Sequence, residues 1–358
     1  MTPAEPPKSA IAVLLHSPQL LACKEASNKT RDEIDILLSE KLGKYTSEDT
    51  SLVVFGSLAR GEWTSKSDLD WTYLIDGEAN SDHLKISQSI QQIFKENEYE
   101  EPGTTGTFGN MAFSHDIIHQ IGGQNDTNRN TTQRVLLLLE SSPIGKRTEA
   151  YERVIRGVIS RYLEEDVHPL TPDSKRYRVP RFLLNDIVRF WRTMAVDFAS
   201  KQRDRAGEGW GLRNAKLRMS RKLIFASGLL VCFSASLDTA LNDQISTGTK
   251  DDIKLRLINH IRDCVRLTPL EILAKSMEQY RVPEATAKEL FAAYAEFLGL
   301  LDSERSREAL KALRSADSRT DPTFKQVRNI SGAFEHALDH IFFENRTVAP
   351  LTRKYGVF

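Results

Sequence analysis

The chain reads Phe55-Gly56-Ser57-Leu58-Ala59-Arg60-Gly61-Glu62 and, a few residues later, Ser67-Asp68-Leu69-Asp70. The first motif ends the apolar run Leu52-Val53-Val54-Phe55, which has the pattern of a buried strand. The second leads into Trp71-Thr72-Tyr73-Leu74-Ile75, a second strand pattern that stops at a turn. The spacing predicts a short helix over residues 58–67 that returns the chain, so that both motifs meet at one edge of a sheet.

Gly56 and Ser57 have the properties of a phosphate-binding turn. A glycine lets a phosphate approach the backbone closely, and a following helix start favours negative charge. The Ser57 hydroxyl adds a donor. Gly-Ser turns are common, so the prediction depends on the aspartates that follow at this spacing.

Asp68 and Asp70 flank Leu69 at the start of the second predicted strand. Residues two apart in a strand point to the same face, so the two carboxylates lie side by side. They repel each other unless a cation sits between them, and hard oxygen ligands suit Mg²⁺, which takes its remaining ligands from water and substrate phosphates. The pair is therefore a candidate metal site.

Arg60 and Ser67 complete the set within the motifs. Arg60 is expected on the linking helix, where it either reaches a phosphate, braces Asp68, or is simply a solvated helix residue. Ser67 begins the second motif. Both are counted with the candidate nucleotide-binding residues.

Together the two motifs resemble the signature of the DNA polymerase β-like nucleotidyltransferase superfamily. The resemblance is strong over residues 50–76. It implies an enzyme that moves a nucleoside monophosphate from a nucleoside triphosphate, ATP among the candidates, to a hydroxyl acceptor with release of pyrophosphate. It also implies Mg²⁺ or Mn²⁺ held by Asp68, Asp70 and a third carboxylate, with Gly56 and Ser57 on the triphosphate.

The third carboxylate is expected on a later strand flanked by apolar residues. Asp116, in a strand predicted within residues 111–121, fits best. Asp126 is the alternative, although its turn at residues 122–128 suits a capping role equally well. His115 and His119 lie close by and are interpreted as hydrogen-bonded structural residues.

A second, weaker resemblance comes from Arg134-Val135-Leu136-Leu137-Leu138-Leu139-Glu140-Ser141. This segment is similar to the helix that closes the catalytic domain of PII-type protein uridylyltransferases. It implies that a protein side chain is the acceptor.

The pattern changes near residues 143–150. The order strand, turn, helix, strand, helix before this point indicates an α/β domain, and helical patterns dominate afterwards. We predict an α+β protein: a nucleotidyltransferase domain with a mixed sheet over residues 1–148, including a disordered tail at 1–10, and an all-helical acceptor-binding domain over residues 149–358. The later helices are predicted over residues 149–164, 181–203, 213–238, 251–276, 284–299, 304–314 and 324–344.

Basic residues are concentrated between residues 175 and 222, with interleaved aromatic residues. Such a surface could guide a triphosphate or an RNA acceptor, although a solvated helical face with buried aromatic residues is an equally good interpretation. Within it, a glycine-rich loop at 207–211 precedes Arg213 and Lys216, which are predicted to share a helix face and contact the nucleotide.

The charge, the cysteine content and the apolar stretches of the chain bear on its partners and its location. Lys plus Arg equals Asp plus Glu, at 49 each, so no global field attracts nucleic acid or an acidic membrane. Three scattered cysteines indicate neither a disulfide framework nor a zinc site. The polar N-terminus lacks a signal pattern, and the apolar stretch at 223–237 is too short to span a bilayer. We expect a cytoplasmic protein without membrane contact; its oligomeric state stays open.

Two other functions remain open from the sequence. One is a nucleotide-binding regulatory module that has lost catalysis, which gains support if Asp116 points away from the turn. The other is a toxin-like or anti-phage transferase that modifies RNA or makes a nucleotide messenger.

Overall fold

The computed structural model describes residues 9–64, 66–103, 107–164, 177, 179–204, 207–245 and 249–356. Across these ranges the chain forms a mixed four-stranded sheet in its first half, followed by a mostly helical region. The predicted α+β class is confirmed.

The sheet has the order β3-β2-β1-β4. Its strands are β1 (Thr50–Phe55), β2 (Trp71–Ile75), β3 (Asn110–Phe113) and β4 (Ser141–Ile144). β1 pairs antiparallel with both β2 and β4, whereas β2 and β3 are parallel and are joined by a helical crossover. Parallel neighbours need such a crossover because the chain must return to the same end of the sheet.

Central β1 is buried along its whole length, as its Val-rich, β-branched sequence favours. Edge strand β4 was not predicted, because it contains Pro143 and prolines are rare within strands. Pro143 pairs with Val53 in the register. A proline is tolerated there because an edge strand needs ladder hydrogen bonds on one side only.

The two faces of the sheet differ in what they carry. Leu52, Val54, Trp71 and Tyr73 belong to the main hydrophobic core together with the apolar faces of two helices, residues 18–42 and 81–96. Side chains alternate along a strand, so Asp70 and Thr72 lie on the opposite face. The sheet thus has one fully packed face and one that reaches the candidate site at its end.

The helices of the first half number eight in the described ranges. They are α1 (Ala10–Leu15), α2 (Pro18–Leu42), α3 (Gly56–Arg60), α4 (Ser81–Glu96), α5 (Ser114–Ile118), α6 (Asn128–Leu139), α7 (Glu149–Leu163) and α8 (Arg181–Asp204). The long ones lie where the apolar spacing predicted them.

The second half continues with helices only, as far as it is described. They are α9 (Trp210–Lys216), α10 (Lys222–Leu237), α11 (Thr239–Ile245), α12 (Lys250–Val265), α13 (Pro269–Gln279), α14 (Glu284–Asp302), α15 (Glu304–Ala312), α16 (Pro322–Asp339) and α17 (Ala349–Leu351). π-helical turns follow at Leu217–Arg221, His340–Glu344 and Thr352–Gly356.

Two predicted helices differ from the structure. The helix expected over residues 58–67 is only α3, because Gly61 takes a left-handed conformation and ends it. Glu62 therefore lies outside the helix. The helix expected over residues 251–276 is divided into α12 and α13, because Pro269 cannot continue the first and starts the second.

The chain forms two compact units. One comprises residues 23–190 and 234–268 and contains the whole sheet; the other comprises residues 1–22, 191–233 and 269–358 and is helical. The predicted boundary at 148 lies inside the first unit, where α7 packs against β1. In the helical unit α14 packs against α16, with Tyr294 and Phe334 in ring contact at 5.7 Å.

Within the described residues, one helical stretch, Trp210–Leu237, has the length and apolar composition to cross a membrane. It is longer than the apolar run predicted at 223–237, because the helix continues upstream through α9. Most of its apolar window, 78%, is buried inside the protein, as in the core helix of a globular fold.

Candidate functional site

The phosphate turn and the acidic motif meet at Gly56 and Asp70. Gly56 has φ +66°, a left-handed conformation that favours glycine. A Cβ at Gly56 would lie 3.0 Å from Asp70 Oδ2. The Phe55 N–H donates to the Asp70 carbonyl at 2.9 Å, which extends the β1–β2 pairing to this point. The turn therefore needs a glycine both for its backbone and to admit the carboxylate.

Ser57 is the one residue between positions 51 and 60 that is not buried. Its carbonyl accepts hydrogen bonds from the N–H groups of Gly61 and Glu62, which close the turn. The side chain thus reaches the surface from a fixed backbone. This is the position that the sequence predicted for a phosphate-binding hydroxyl.

Asp68, Leu69 and Asp70 alternate as predicted. Leu69 is 1% exposed and belongs to the core, whereas both aspartates are partly exposed. The Leu69 N–H donates to the Glu100 carbonyl at 3.0 Å, so the segment is hydrogen-bonded before the strand begins. The buried leucine holds two carboxylates at the surface next to the turn.

Arg60 is buried, which contradicts its interpretation as a solvated helix residue. Its side chain is 7% exposed and forms ion pairs with Glu62, at 2.7 Å, and with Glu140. The guanidinium therefore joins the end of α3 to the residue that precedes β4. The structure favours a role in holding the phosphate turn, because buried carboxylates occupy the donors that a phosphate would need.

The Ser67 side chain is hydrogen-bonded to nearby Thr64. Its hydroxyl accepts from the Thr64 N–H and contacts the Thr64 hydroxyl, both at 3.1 Å. These bonds form a side-chain turn that leads the chain into Asp68. The predicted nucleotide contact of Ser67 stays a prediction.

Asp116 is not on a strand, which corrects the sequence prediction. β3 ends at Phe113, and Asp116 lies in α5, exposed, accepting a hydrogen bond from Gln120 Nε2 at 3.0 Å. His115 and His119 lie on the same short helix, with ring centroids 5.0 Å apart, and both are exposed. Of the apolar run that suggested a strand, Met111 to Phe113 belong to β3, whereas Ile117 lies on the buried side of α5.

Asp126, the alternative, belongs to a buried network. Arg134 donates to both of its carboxylate oxygens at 3.0 and 2.9 Å, and to Asp186 at 2.6 Å. Burial raises the pKa of Asp126, but hydrogen bonds from Arg134 and the Gly122 N–H outweigh it, so that the pKa is lowered overall. Tyr162 donates to Asp186 at 2.6 Å. This network connects α6, α7 and α8.

Asn110 is a further polar residue on the sheet face of Asp70 that the sequence did not indicate. It faces Thr72 across the parallel β2–β3 register, on the same sheet face as Asp70 and one strand away. Sequence reasoning missed it because an amide was not sought there and the glycines around it obscured the strand. An amide oxygen is a weaker ligand than a carboxylate, without its charge.

The residues present fit a divalent cation in part. Asp68 and Asp70 supply hard oxygens beside a turn that a single Cβ would fill, which matches Mg²⁺ chemistry. The described residues contain no group of three or more His, Cys, Asp or Glu side chains that could hold a metal. Among them, Asp68 and Asp70 are the carboxylates of the acidic motif.

Arg213 and Lys216 lie on α9 in the helical unit, both partly buried. Their predicted contact with the nucleotide stays a prediction. In the basic stretch, Tyr177, Phe190 and Trp210 are buried, as in the interpretation with a packed core. Lys175, Arg176, Arg178 and Arg205 lie outside the described residues.

Comparison with known families addresses this region directly. Residues 34–102 match the model of the nucleotidyltransferase domain family. The chain carries a nucleotidyltransferase domain of the DNA polymerase β-like superfamily. The match spans α2 to the segment after α4 and includes both motifs. No curated protein matches the chain.

A nucleotidyltransferase domain implies a nucleoside triphosphate as substrate and transfer of a nucleoside monophosphate. The likeness of residues 134–141 to PII-type uridylyltransferases stays a prediction. In the structure this segment is the end of α6 and the start of β4, and Arg134 is 0% exposed within its network. Within the described residues, Arg134 joins α6 to Asp126 and to Asp186 on α8.

Replacing Gly56 by alanine should weaken nucleotide binding at least about tenfold, since the methyl group must displace the Asp70 carboxylate and the positive φ costs about 1–2 kcal/mol. Gly43→Ala is a matched control: Gly43 has φ +64° but no neighbour within 4 Å. Both variants should lose similar stability in thermal unfolding, and only Gly56→Ala should lose affinity in calorimetry. Equal affinities would contradict the site.

Proposed function

We propose that this protein is a Mg²⁺-dependent enzyme that transfers a nucleoside monophosphate from a nucleoside triphosphate to a hydroxyl group. The observation that carries the proposal is the close approach of Asp70 to the Gly56 turn, where a Cβ at Gly56 would lie 3.0 Å from Asp70 Oδ2, so that only a glycine leaves this backbone open. The nucleotidyltransferase domain at residues 34–102 supports it.

In this proposal each residue of the site has a separate role. Gly56 and Ser57 bind the triphosphate through the open backbone and the hydroxyl. Asp68 and Asp70 hold Mg²⁺ or Mn²⁺, which when bound would neutralise phosphate charge and lower the pKa of the attacking hydroxyl. Arg60 keeps the turn in place through Glu62 and Glu140.

We favour a protein side chain as the acceptor on the resemblance of residues 134–141. An RNA acceptor rests on the basic stretch at 175–222. Its aromatic residues Tyr177, Phe190 and Trp210 are buried and cannot stack on bases, and Trp191, which is partly exposed, stacks on Phe225. A cytoplasmic location remains part of the proposal.

One observation favours a second function, a regulatory module that binds nucleotide without transferring it. Asp116 lies on α5 and accepts a hydrogen bond from Gln120, and β3 begins with an amide, Asn110, and not with a carboxylate. With less negative charge the site would hold metal more weakly. Binding of triphosphate would then persist without turnover.

The experiment that separates these functions incubates the protein with each α-labelled nucleoside triphosphate, Mg²⁺ and cell extract. Transfer should place label on one class of acceptor and release pyrophosphate, and EDTA should abolish it. Label on RNA or in a free nucleotide product would replace the protein acceptor. Saturable triphosphate binding without label transfer for any base or metal would establish the regulatory function instead.

A further inference from the structure

A cavity lies next to the acidic motif, in the same compact unit. Its volume is about 220 Å³, and its lining includes Leu69, Trp71, Phe94, Tyr99 and Phe108. Leu69 separates Asp68 from Asp70 and points to the opposite face of the strand. The cavity therefore lies on the Leu69 side of the strand and shares that residue with the acidic motif.

The floor of the cavity is aromatic and rigid. Trp71 and Phe94 meet edge to face at 5.7 Å, and Phe94 and Tyr99 meet in the same way at 5.6 Å. Trp71 and Phe94 are 1% and 4% exposed, so the rings that open to the cavity are those of Tyr99 and Phe108, which are partly exposed. Such a floor accepts a flat ring by stacking and apolar contact. A cavity of about 150 Å³ already holds benzene, so this one has room for a larger ring system.

The rim is polar and carries both charges. Gln91 and Lys95 come from α4, and Glu100 and Glu101 from the segment after it; all four are exposed. One cation against two carboxylates disfavours a phosphate group inside the cavity. Carboxylates accept hydrogen bonds from an amino group, whereas the lysine and the amide can donate to ring nitrogens.

We propose that this cavity binds an adenine base. The flat ring would lie on the aromatic floor, and the exocyclic amine would donate to Glu100 or Glu101. The base belongs either to the donor triphosphate or to a separate nucleoside, such as a nucleotide end of an acceptor. The site does not depend on metal-assisted transfer, because none of its lining residues is a metal-ligand candidate.

The cavity is also connected to the acidic motif through the backbone. The Leu69 N–H donates to the carbonyl of Glu100, whose side chain is at the rim. Gly109, which also lines the cavity, donates to the Trp71 carbonyl at 2.8 Å and immediately precedes Asn110. An occupant would thus contact Leu69 of the acidic motif and the residue before β3.

The test is calorimetric titration of the full-length protein with adenosine and with inosine, which has a carbonyl oxygen in place of the amine. Adenosine should bind, and inosine should bind at least about tenfold more weakly, the effect of losing a hydrogen bond to a charged group. Equal binding of the two, or no adenosine binding at millimolar concentration, would overturn the proposal. If agmatine, a guanidinium compound, binds more tightly than adenosine, the proposal is overturned, because the cavity then fits an arginine side chain better than an adenine base.

Adjacent glutamines on α4 provide a matched pair of variants. Gln91 lines the cavity and Gln92 does not, and both are exposed. Gln91→Trp should reduce adenosine affinity at least about tenfold by filling the rim, whereas Gln92→Trp should not change it. Equal affinities of the two variants would place the adenosine elsewhere and overturn the proposal.

Two further experiments distinguish failure of the adenine site from failure of the proposed function, and identify the source of the base. The Asp68→Asn/Asp70→Asn variant should keep adenosine binding even if metal-dependent transfer fails. Loss of adenosine binding in this variant would overturn the proposal that the cavity binds adenine. If the donor's own base enters the cavity, Gln91→Trp weakens ATP binding but not UTP binding. If the base is a separate one, the variant leaves both triphosphates unaffected and loses only adenosine.

Discussion

Replacing Asp70 by asparagine should abolish nucleotide transfer while leaving the fold intact. The change keeps the size of the side chain beside Gly56 but removes one of the two charges that we propose hold the cation. A metal ion contributes several kcal/mol to stabilising a phosphoryl-transfer transition state, so its loss lowers the rate on the order of 10³-fold. Turnover of labelled triphosphate measures the effect.

The control for Asp70→Asn is Asp116→Asn. Asp116 is exposed on α5 and bonded to Gln120, so its replacement should leave the rate within about threefold, in line with a surface substitution. Thermal unfolding of both variants should match the unmodified protein. If Asp116→Asn lowers the rate as much as Asp70→Asn, Asp116 is the third ligand after all. Full activity of Asp70→Asn would exclude the metal-dependent mechanism.

Replacing Arg134 by methionine should have the largest effect on stability. The substitution leaves Asp126 and Asp186, with side chains 3% and 9% exposed, without their shared cation. Breaking a buried ion pair from one side costs about 3–5 kcal/mol, because a buried charge stays uncompensated. Denaturant unfolding should show this decrease in the free energy of unfolding.

Arg189→Met is the control for Arg134→Met. Arg189 also approaches Asp126, at 3.7 Å, but its side chain is 35% exposed. A partly solvated pair contributes little, so the loss should be below about 1 kcal/mol. A similar loss in both variants would mean that charge near Asp126, and not the buried geometry, stabilises the domain.

The same network predicts a loss of stability in acid. The folded-state pKa of Asp126 is lowered from its ordinary 3.8 by Arg134 and the Gly122 N–H, against an opposing effect of burial. A lowered pKa stabilises the fold above pH 3.8, and this contribution disappears as the pH falls through the folded value. Unfolding at pH 5 and pH 3 should therefore show a larger decrease for the unmodified protein than for Arg134→Met.

Local sequence patterns predicted the elements that carry the site. β2 begins and ends where the alternation of Trp71 to Ile75 placed it, and α2, α4 and α7 follow their apolar spacing within a few residues. The Gly56 turn and the acidic pair were found because both depend on the chemistry of neighbouring residues. The helix after Gly56 was predicted too long, since the left-handed stop at Gly61 competes with the helical pattern.

Contacts distant in sequence were not predictable in the same way. Glu140 pairs with Arg60, and Asp186 with Arg134, across many intervening residues. A charged side chain in a sequence gives no sign of the partner that will neutralise it. Asp116 and Asp126 were candidates by residue type, and only their neighbours in space show that one is bonded on the surface and the other inside a network.

The sequence by itself determined that this protein has a strand, a glycine turn and an acidic pair in the order of a nucleotidyltransferase domain, because strand alternation and glycine conformation act over a few residues. Tertiary structure decided the rest of the site. It paired β3 with β2 and so brought Asn110 next to Thr72. It placed Arg60 in the interior and formed the aromatic cavity behind Leu69, because burial and register depend on which segments meet in space.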